Sequence, residues 1–389
     1  MAELELNESK WRKALELAPE RAEAHFNLGN ALSKQGRARE AISSYQRALE
    51  LDPALPAHNN LGKAQCATRD YEAARDSFRR AISSSPNQAH LHRNLGTALR
   101  ALGDREGALS SFERALQLAP DAFNVRQSLA TTALECGKWQ LGLDTCRAWL
   151  RHDPSNVEAL GLSSIALEEL GEHAAARALL DFERMVVVSD LSAPPSGFAS
   201  LSEFNAALAR HALEHPTLHL PASDDPRYHC PTLRLTAEFC DQGTGPSAAL
   251  KRTVSQAIGT YLEQLKKTLP QHPFVAFAPR RFRLHSWATV LEQEGNLLPH
   301  VHYASYVSAV YYPALPSVMN GPPGAGYFEF GGGPREFPVQ KSTPVRAVEP
   351  RAGRLLLFPS YFYHRTAPFT SREPRISIAF DTEAVAQKS

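Results

Sequence analysis

A multidomain α + β protein is expected: an all-α repeat solenoid followed by a β-rich sandwich, jelly-roll or barrel domain with supporting helices. Three observations predict it. Pro19, Pro53, Pro86, Pro120 and Pro154 recur at spacings of 34, 33, 34 and 34 residues. That periodicity stops near Arg184, where Ser189 to Gly197, with Pro194-Pro195, forms a turn-rich junction. Beyond Pro270 the apolar segments become short, β-branched or aromatic, and separated by Gly and Pro.

Composition narrows the function classes. The 389 residues suffice for two or three domains at roughly 100–200 residues each. Hydrophobic residues make up 43% and charged residues 21%, which excludes wholesale disorder. Lys plus Arg number 42 against 41 Asp plus Glu, a net charge of +1. So even a balance gives no support for a nucleic-acid binder working through bulk charge. No apolar run reaches the roughly 18–20 residues of a membrane span, and the first residues lack the apolar core of a signal peptide. Cys66, Cys136, Cys146, Cys230 and Cys240 are scattered and never form a C-x-x-C pair, which excludes a disulfide framework or a thiolate zinc site. A cytoplasmic location is expected.

Inside each period the same residue types return. Leu28-Gly29, Leu61-Gly62, Leu95-Gly96 and Leu129-Ala130 share one register, and Ala41, Ala74, Ala108 and Gly142 follow them. Tyr45, Phe78, Phe112 and Cys146 come next, then Ala48, Ala81, Ala115 and Trp149. Small residues at the first positions let two helices of one repeat approach closely, the aromatic fills the gap to the next repeat, and the proline ends the second helix. Trp11, Ala14 and Pro19 match only the second helix of a repeat. A degenerate fifth repeat around 157–182, with Ser164 in place of Gly and Glu183 in place of the last Ala, reads as a capping unit. The solenoid is therefore placed at 1–185. The pattern resembles the tetratricopeptide repeat, which implies a concave face that holds a protein or peptide partner.

The second domain, 186–389, opens with helices. Ser202 caps one that carries Phe204, Leu208 and Ala212 and ends before Pro216. Another runs over 247–268, with Leu250, Val254, Ile258, Tyr261 and Leu265 spaced by three or four. Strands are expected over 281–290, 306–312, 326–330, 354–358 and 375–380. Helices that precede strands, rather than alternate with them, argue against a parallel doubly wound sheet.

Two H-x-H pairs occur. His90 and His92 fall within a repeat helix, where residues i and i+2 point apart. His300 and His302 precede a strand, where extended backbone puts i and i+2 on one face, so two imidazoles there can converge on one metal. Further on stand His364, Arg375 and Ser377, giving H-x-H … H-x10-R-x-S across a run of strands.

This arrangement resembles the Fe(II)/2-oxoglutarate oxygenase superfamily. More closely, PHVHYASYVSAVYYPALP, AGYFEF and GRLLLFPSYFYHRTAPF…RISIAFD look like a bacterial group of 2-oxoglutarate oxygenases whose domain often follows tetratricopeptide repeats. The order of repeats and oxygenase is also similar to that of the aspartyl/asparaginyl β-hydroxylases. The resemblance implies a double-stranded β-helix holding Fe(II), with 2-oxoglutarate and O2 as co-substrates, and hydroxylation of a protein or peptide side chain presented by the repeats. It implies metal ligands on the H-x-H and His364, and co-substrate contacts from Arg375, Ser377 and a tyrosine. Strand alternation admits only one of Tyr311 and Tyr312 to the interior, and Tyr312 is chosen. Where the superfamily usually has a carboxylate, this sequence has His302. Three ligand sets remain open: His300, His302 and His364 together; His302 and His364 with Ala304 at the carboxylate position; or a shifted frame with a carboxylate from elsewhere. Two other readings stand beside hydroxylation, a repeat scaffold with an inactive oxygenase fold and a three-histidine cupin-like dioxygenase that does not use 2-oxoglutarate. Among the remaining residues, Arg280, Arg281 and Arg283 read as a solvated face or a greeting for an acidic substrate. Trp287 reads as core, and Asp224, Asp225 and His229 as loop polarity. Residues 321–333 read as a hairpin loop at the site mouth.

Overall fold

The computed structural model describes residues 2–221, 232–240, 243–320, 324–341 and 344–385. Asp224, Asp225, His229, Cys230 and the first three residues of the glycine-rich stretch lie outside them. The chain divides into two compact units, 1–145 and 146–389.

The first unit is a run of antiparallel helix pairs. They are α1 (Ala2–Leu17), α2 (Ala22–Lys34), α3 (Ala38–Leu51), α4 (His58–Ala67), α5 (Tyr71–Ser84), α6 (Ala89–Ala101), α7 (Arg105–Leu118), α8 (Phe123–Glu135) and the start of α9 (Trp139–His152). Asp70 and Asp104 cap α5 and α7, accepting from the backbone N–H of Ala73 at 3.2 Å and of Gly107 at 2.9 Å. The period is written in one contact. A Cβ built on Gly29, Gly62 or Gly96 would sit 2.6, 2.6 and 2.7 Å from the ring of Tyr45, Phe78 and Phe112 respectively. The aromatic thus lies against the glycine of its own repeat as well as reaching the next, where Tyr45 shares a cluster with Ala57 and Leu61. His92, in the first H-x-H pair, bonds the Pro86 carbonyl through Nε2 at 2.7 Å, as His25 bonds Pro19 at 2.8 Å.

That contact gives a signed prediction. Alanine ordinarily improves a helix over glycine by about 1 kcal/mol. At Gly62 the added methyl must displace the fully buried Phe78 ring, a cost of about 1–3 kcal/mol that outweighs the gain. Gly259, inside a second-unit helix, has nothing within 4 Å of its Cβ position. Urea denaturation followed by helicity should therefore show Gly62→Ala destabilised and Gly259→Ala stabilised; the same sign for both would refute the packing argument.

In the second unit, α10 (Val157–Leu170) is followed by α11 (His173–Leu179) and α12 (Phe182–Met185). The expected capping repeat would keep a polar outer face. Instead, every residue of α10 from Val157 to Glu168 except the half-buried Glu158 is buried. Val157, Leu160, Phe182, Met185 and Val186 belong to one core cluster with the strands. The end of the repeat pattern near 185 and the packing division at 145/146 therefore fall at different places. Helices α13 (Leu201–Leu213) and α14 (Gly245–Thr268) match the two expected ones. The cap of α13 is Ser200 rather than Ser202: its side chain accepts from Glu203 N–H at 3.1 Å, and Glu203 returns an acceptor to Ala199 N–H at 2.8 Å. A short α15 (Pro273–Ala276) precedes the long strands.

The strands are β1 (Val187–Asp190), β2 (Arg234–Leu235), β3 (Phe282–His300), β4 (Val307–Ala314), β5 (Phe328–Phe330), β6 (Arg346–Val348), β7 (Arg354–Pro359) and β8 (His364–Ala384). All pairings are antiparallel, in the order β1-β7-β4-β8-β3-β2, with β5 bonded to β8 and β6. The register of β8 matters most. Its second part lies between β4 and the start of β3, with Ala379 opposite both Val310 and Trp287. Its first part lies between β5 and the end of β3, with His364 opposite both Phe330 and His300. Register shifts on β3 between Leu291 and His300 mark the bend between these halves. The glycine-rich stretch is not simply a hairpin loop: it contains β5.

Candidate metal centre

Cross-strand pairing brings the histidines together. His300 ends β3 directly opposite His364 at the start of β8, so their side chains share one face. His302 follows two residues later, with its backbone N–H on the Ser360 carbonyl at 3.1 Å. Ring centroids are 4.4 Å apart for His300 and His364, and 5.1 Å for each of the other two pairs. One nitrogen from each ring falls within 4.8 Å of the others.

The tautomers follow from the partners. His300 Nδ1 donates to the Leu298 carbonyl at 2.7 Å, and His364 Nδ1 donates to the Phe362 carbonyl at 2.9 Å. A carbonyl oxygen only accepts, so in each ring Nδ1 carries a hydrogen, which in the neutral ring leaves the lone pair on Nε2. His302 Nδ1 lies 2.9 Å from Asp381 Oδ2. His364 is buried between Phe328, stacked at 5.2 Å, and Phe358 at 5.0 Å. Burial, reinforced by the His300 and His302 rings, holds its pKa well below the usual imidazole value. A ring kept neutral is the form that binds a metal. Ala304 is exposed in the turn after His302. Among the described residues, the group suited to a metal is His300, His302 and His364.

Arg375 lies on β8 opposite Leu291, 1% exposed. Its Nη1 reaches Ser377 Oγ at 3.4 Å, while Nε and Nη2 have no hydrogen-bond partner. Tyr312, on β4, places its ring 5.0 Å from the guanidinium carbon and leaves its hydroxyl unbonded. Burial pushes the Tyr312 phenol up to about 12, against the lowering effect of Arg375, and pushes the Arg375 guanidinium down. Tyr311 turns the other way, donating to Asn205 Oδ1 on α13 at 2.6 Å. An unpaired cation at such depth is costly, by several kcal/mol after relaxation, and calls for an anion. Arg375, Ser377 and the three histidines line one cavity of about 40 Å³, with Trp287, Thr289, Phe328 and Phe358 in its wall.

Arg280, Arg281 and Arg283 are exposed, and Arg283 pairs with Glu383 at 3.6 Å. Trp287, expected in the core, instead borders the site, its ring 5.5 Å from His302. Asp381, Trp287 and Phe328 are the site residues that sequence reasoning missed. Strand alternation from His285 would have put Trp287 on the inner face, but nothing local marks that face as the one with the histidines.

No helix among the described residues is long and apolar enough to cross a membrane. No curated protein matches the chain. Among solved structures, one titled as YrrB, a TPR protein with an unusual peptide-binding site, is 26% identical, covering 44% of this chain and 89% of that one at a TM-score of 0.41. A MamA structure is 18% identical, covering 42% of this chain and 92% of that one at a TM-score of 0.40. Family models described as tetratricopeptide repeats match residues 22–55 and 59–123. Residues 285–381, the span that contains all three histidines, Arg375 and Asp381, match a model described as "Putative 2OG-Fe(II) oxygenase". Residues 22–55 and 59–123 are thus similar to tetratricopeptide repeats, and residues 285–381, further along the same chain, to that oxygenase family.

Proposed function

We propose that the protein is an Fe(II)- and 2-oxoglutarate-dependent dioxygenase that hydroxylates a side chain of a protein or peptide partner of its repeats, in the cytoplasm. The observation that carries this reading is the buried Arg375 guanidinium, with two nitrogens unbonded, opening into the same cavity as three converging imidazoles. The donor set would suit a ferrous ion, since imidazole binds iron well and His300, His302 and His364 converge on one point. Once bound, the iron and the oxo acid supply oxidative decarboxylation to succinate and CO2, coupled to oxygen insertion into a C–H bond.

The chain's own residues do the rest. His300, His302 and His364 hold the metal through Nε2. Arg375 grips the distal carboxylate through its planar fork, with the Ser377 and Tyr312 hydroxyls beside it. Phe328 and Phe358 keep water from the His364 side. The cavity of about 40 Å³ has room for a few water molecules beside the guanidinium and the imidazoles. The two-sided register of β8 supports a double-stranded β-helix, and the module extends over 186–389 with α10–α12 packed into its core. The repeats support a peptide-like substrate, as such arrays commonly hold partners.

Anaerobic titration with Fe(II), alone and with 2-oxoglutarate, is the test. A visible charge-transfer band that needs both, followed by succinate release on admitting air, is expected. Neither signal would favour the inactive scaffold, and oxygen uptake independent of the oxo acid would favour the cupin-like reading.

A further inference from the structure

Among the three imidazoles, His302 has a different partner from the other two. His300 and His364 donate to backbone carbonyls, whereas His302 Nδ1 donates to a carboxylate, with Asp381 Oδ1 at 3.1 Å and Oδ2 at 2.9 Å. The carboxylate is itself fixed. Asp381 sits on β8 opposite His285 of β3 and Ser308 of β4, and Ser308 Oγ donates to Asp381 Oδ1 at 2.6 Å. Both partners are largely covered, with side chains 14% and 20% exposed for His302 and Asp381. Solvent therefore competes weakly for the bond.

Three neutral rings leave a bound dication with no compensating charge from its ligands. We propose that Asp381 is the positioning residue of the metal centre, supplying through His302 the negative charge that no direct ligand provides. This rests on the metal-binding reading above. A carboxylate on the far nitrogen of a metal-bound imidazole fixes the ring's tautomer and orientation and makes Nε2 a stronger donor. Asp381 does this from the strand that also carries His364 and Arg375, so one strand contributes a ligand, an anion grip and the charge behind a second ligand.

The test is an anaerobic Co(II) titration, read by absorption, without oxo acid. Asp381→Ala is expected to weaken Co(II) binding by roughly 10–100-fold. Asp381→Asn keeps the shape and an acceptor oxygen but loses the charge, and should fall between the two; it also covers the case in which alanine disturbs the fold. In a His302→Asp background the ligand itself carries the charge, so removing Asp381 should no longer weaken binding and should tighten it by relieving repulsion. Equal Co(II) affinity for wild type and both Asp381 variants would overturn the assignment while leaving the metal centre intact. So would an equal loss in both backgrounds, which marks a general structural role. A wild-type chain that takes up no Co(II) would overturn the metal centre and Asp381's role together.

Discussion

Replacing His364 by alanine is expected to abolish succinate formation and to remove tight metal binding, the largest functional loss of any single change in the molecule. Its Nε2 carries the lone pair because Nδ1 is committed to Phe362, and its ring is buried against Phe328 and Phe358. Alanine leaves two imidazoles and no donor atom in place of the third. The affinity loss should exceed the roughly 10–100-fold that attends loss of an outer hydrogen-bond partner. Co(II) titration and succinate release measure the two effects separately. The fold should survive, since the β3–β8 pairing is a backbone ladder. A variant that consumes 2-oxoglutarate at the wild-type rate would show that the metal is held elsewhere.

The part of this architecture that was legible in the sequence is the part built from local contacts. The repeat shows because Gly62 meets Phe78 within one helix pair, so each period must restate both residues. The helices α13 and α14 show because their apolar faces recur every three or four residues. His300, His302, His364 and Arg375 could be singled out because their spacing carried a resemblance, not because the sequence shows that His300 and His364 oppose each other. That pairing depends on a register across two bent strands. Asp381 was invisible for the same reason: its bond to His302 spans 79 positions and leaves no local pattern. Residues 346–348 are too few to display alternation, so β6 passed unseen. The α10 segment reads as a cap in the sequence yet is buried in the structure, because degeneracy of the repeat pattern has two causes. Exposure to solvent erodes the pattern, and so does burial against a different partner, here Tyr303 and Tyr361 packed at Gly161.

Arg375→Met is expected to act in opposite directions on stability and on co-substrate binding. Arg375 is a buried guanidinium with Nε and Nη2 unbonded, supported by a single long contact to Ser377 and by the Tyr312 ring. Exchanging buried charge for an apolar side chain of similar volume is often neutral or stabilising by about 1–4 kcal/mol, and here no partner carboxylate is stranded by the change. The variant should therefore unfold at higher denaturant than wild type when no ligand is present. Adding 2-oxoglutarate with the metal reverses the order. A ligand at 100 times its dissociation constant stabilises the wild type by about 2.7 kcal/mol, and the variant, which has lost the anion grip, gains little. Co(II) binding without oxo acid should be unchanged, because Arg375 touches none of the three imidazoles through a hydrogen bond. The crossing of two denaturation curves is the signature. A purely structural arginine would give a variant that is less stable in both conditions. A guanidinium held for some other anion would give a variant that is more stable without ligand, alongside a wild type indifferent to 2-oxoglutarate. Only a residue kept charged and unpaired for this diacid changes the order of the curves when the diacid is added.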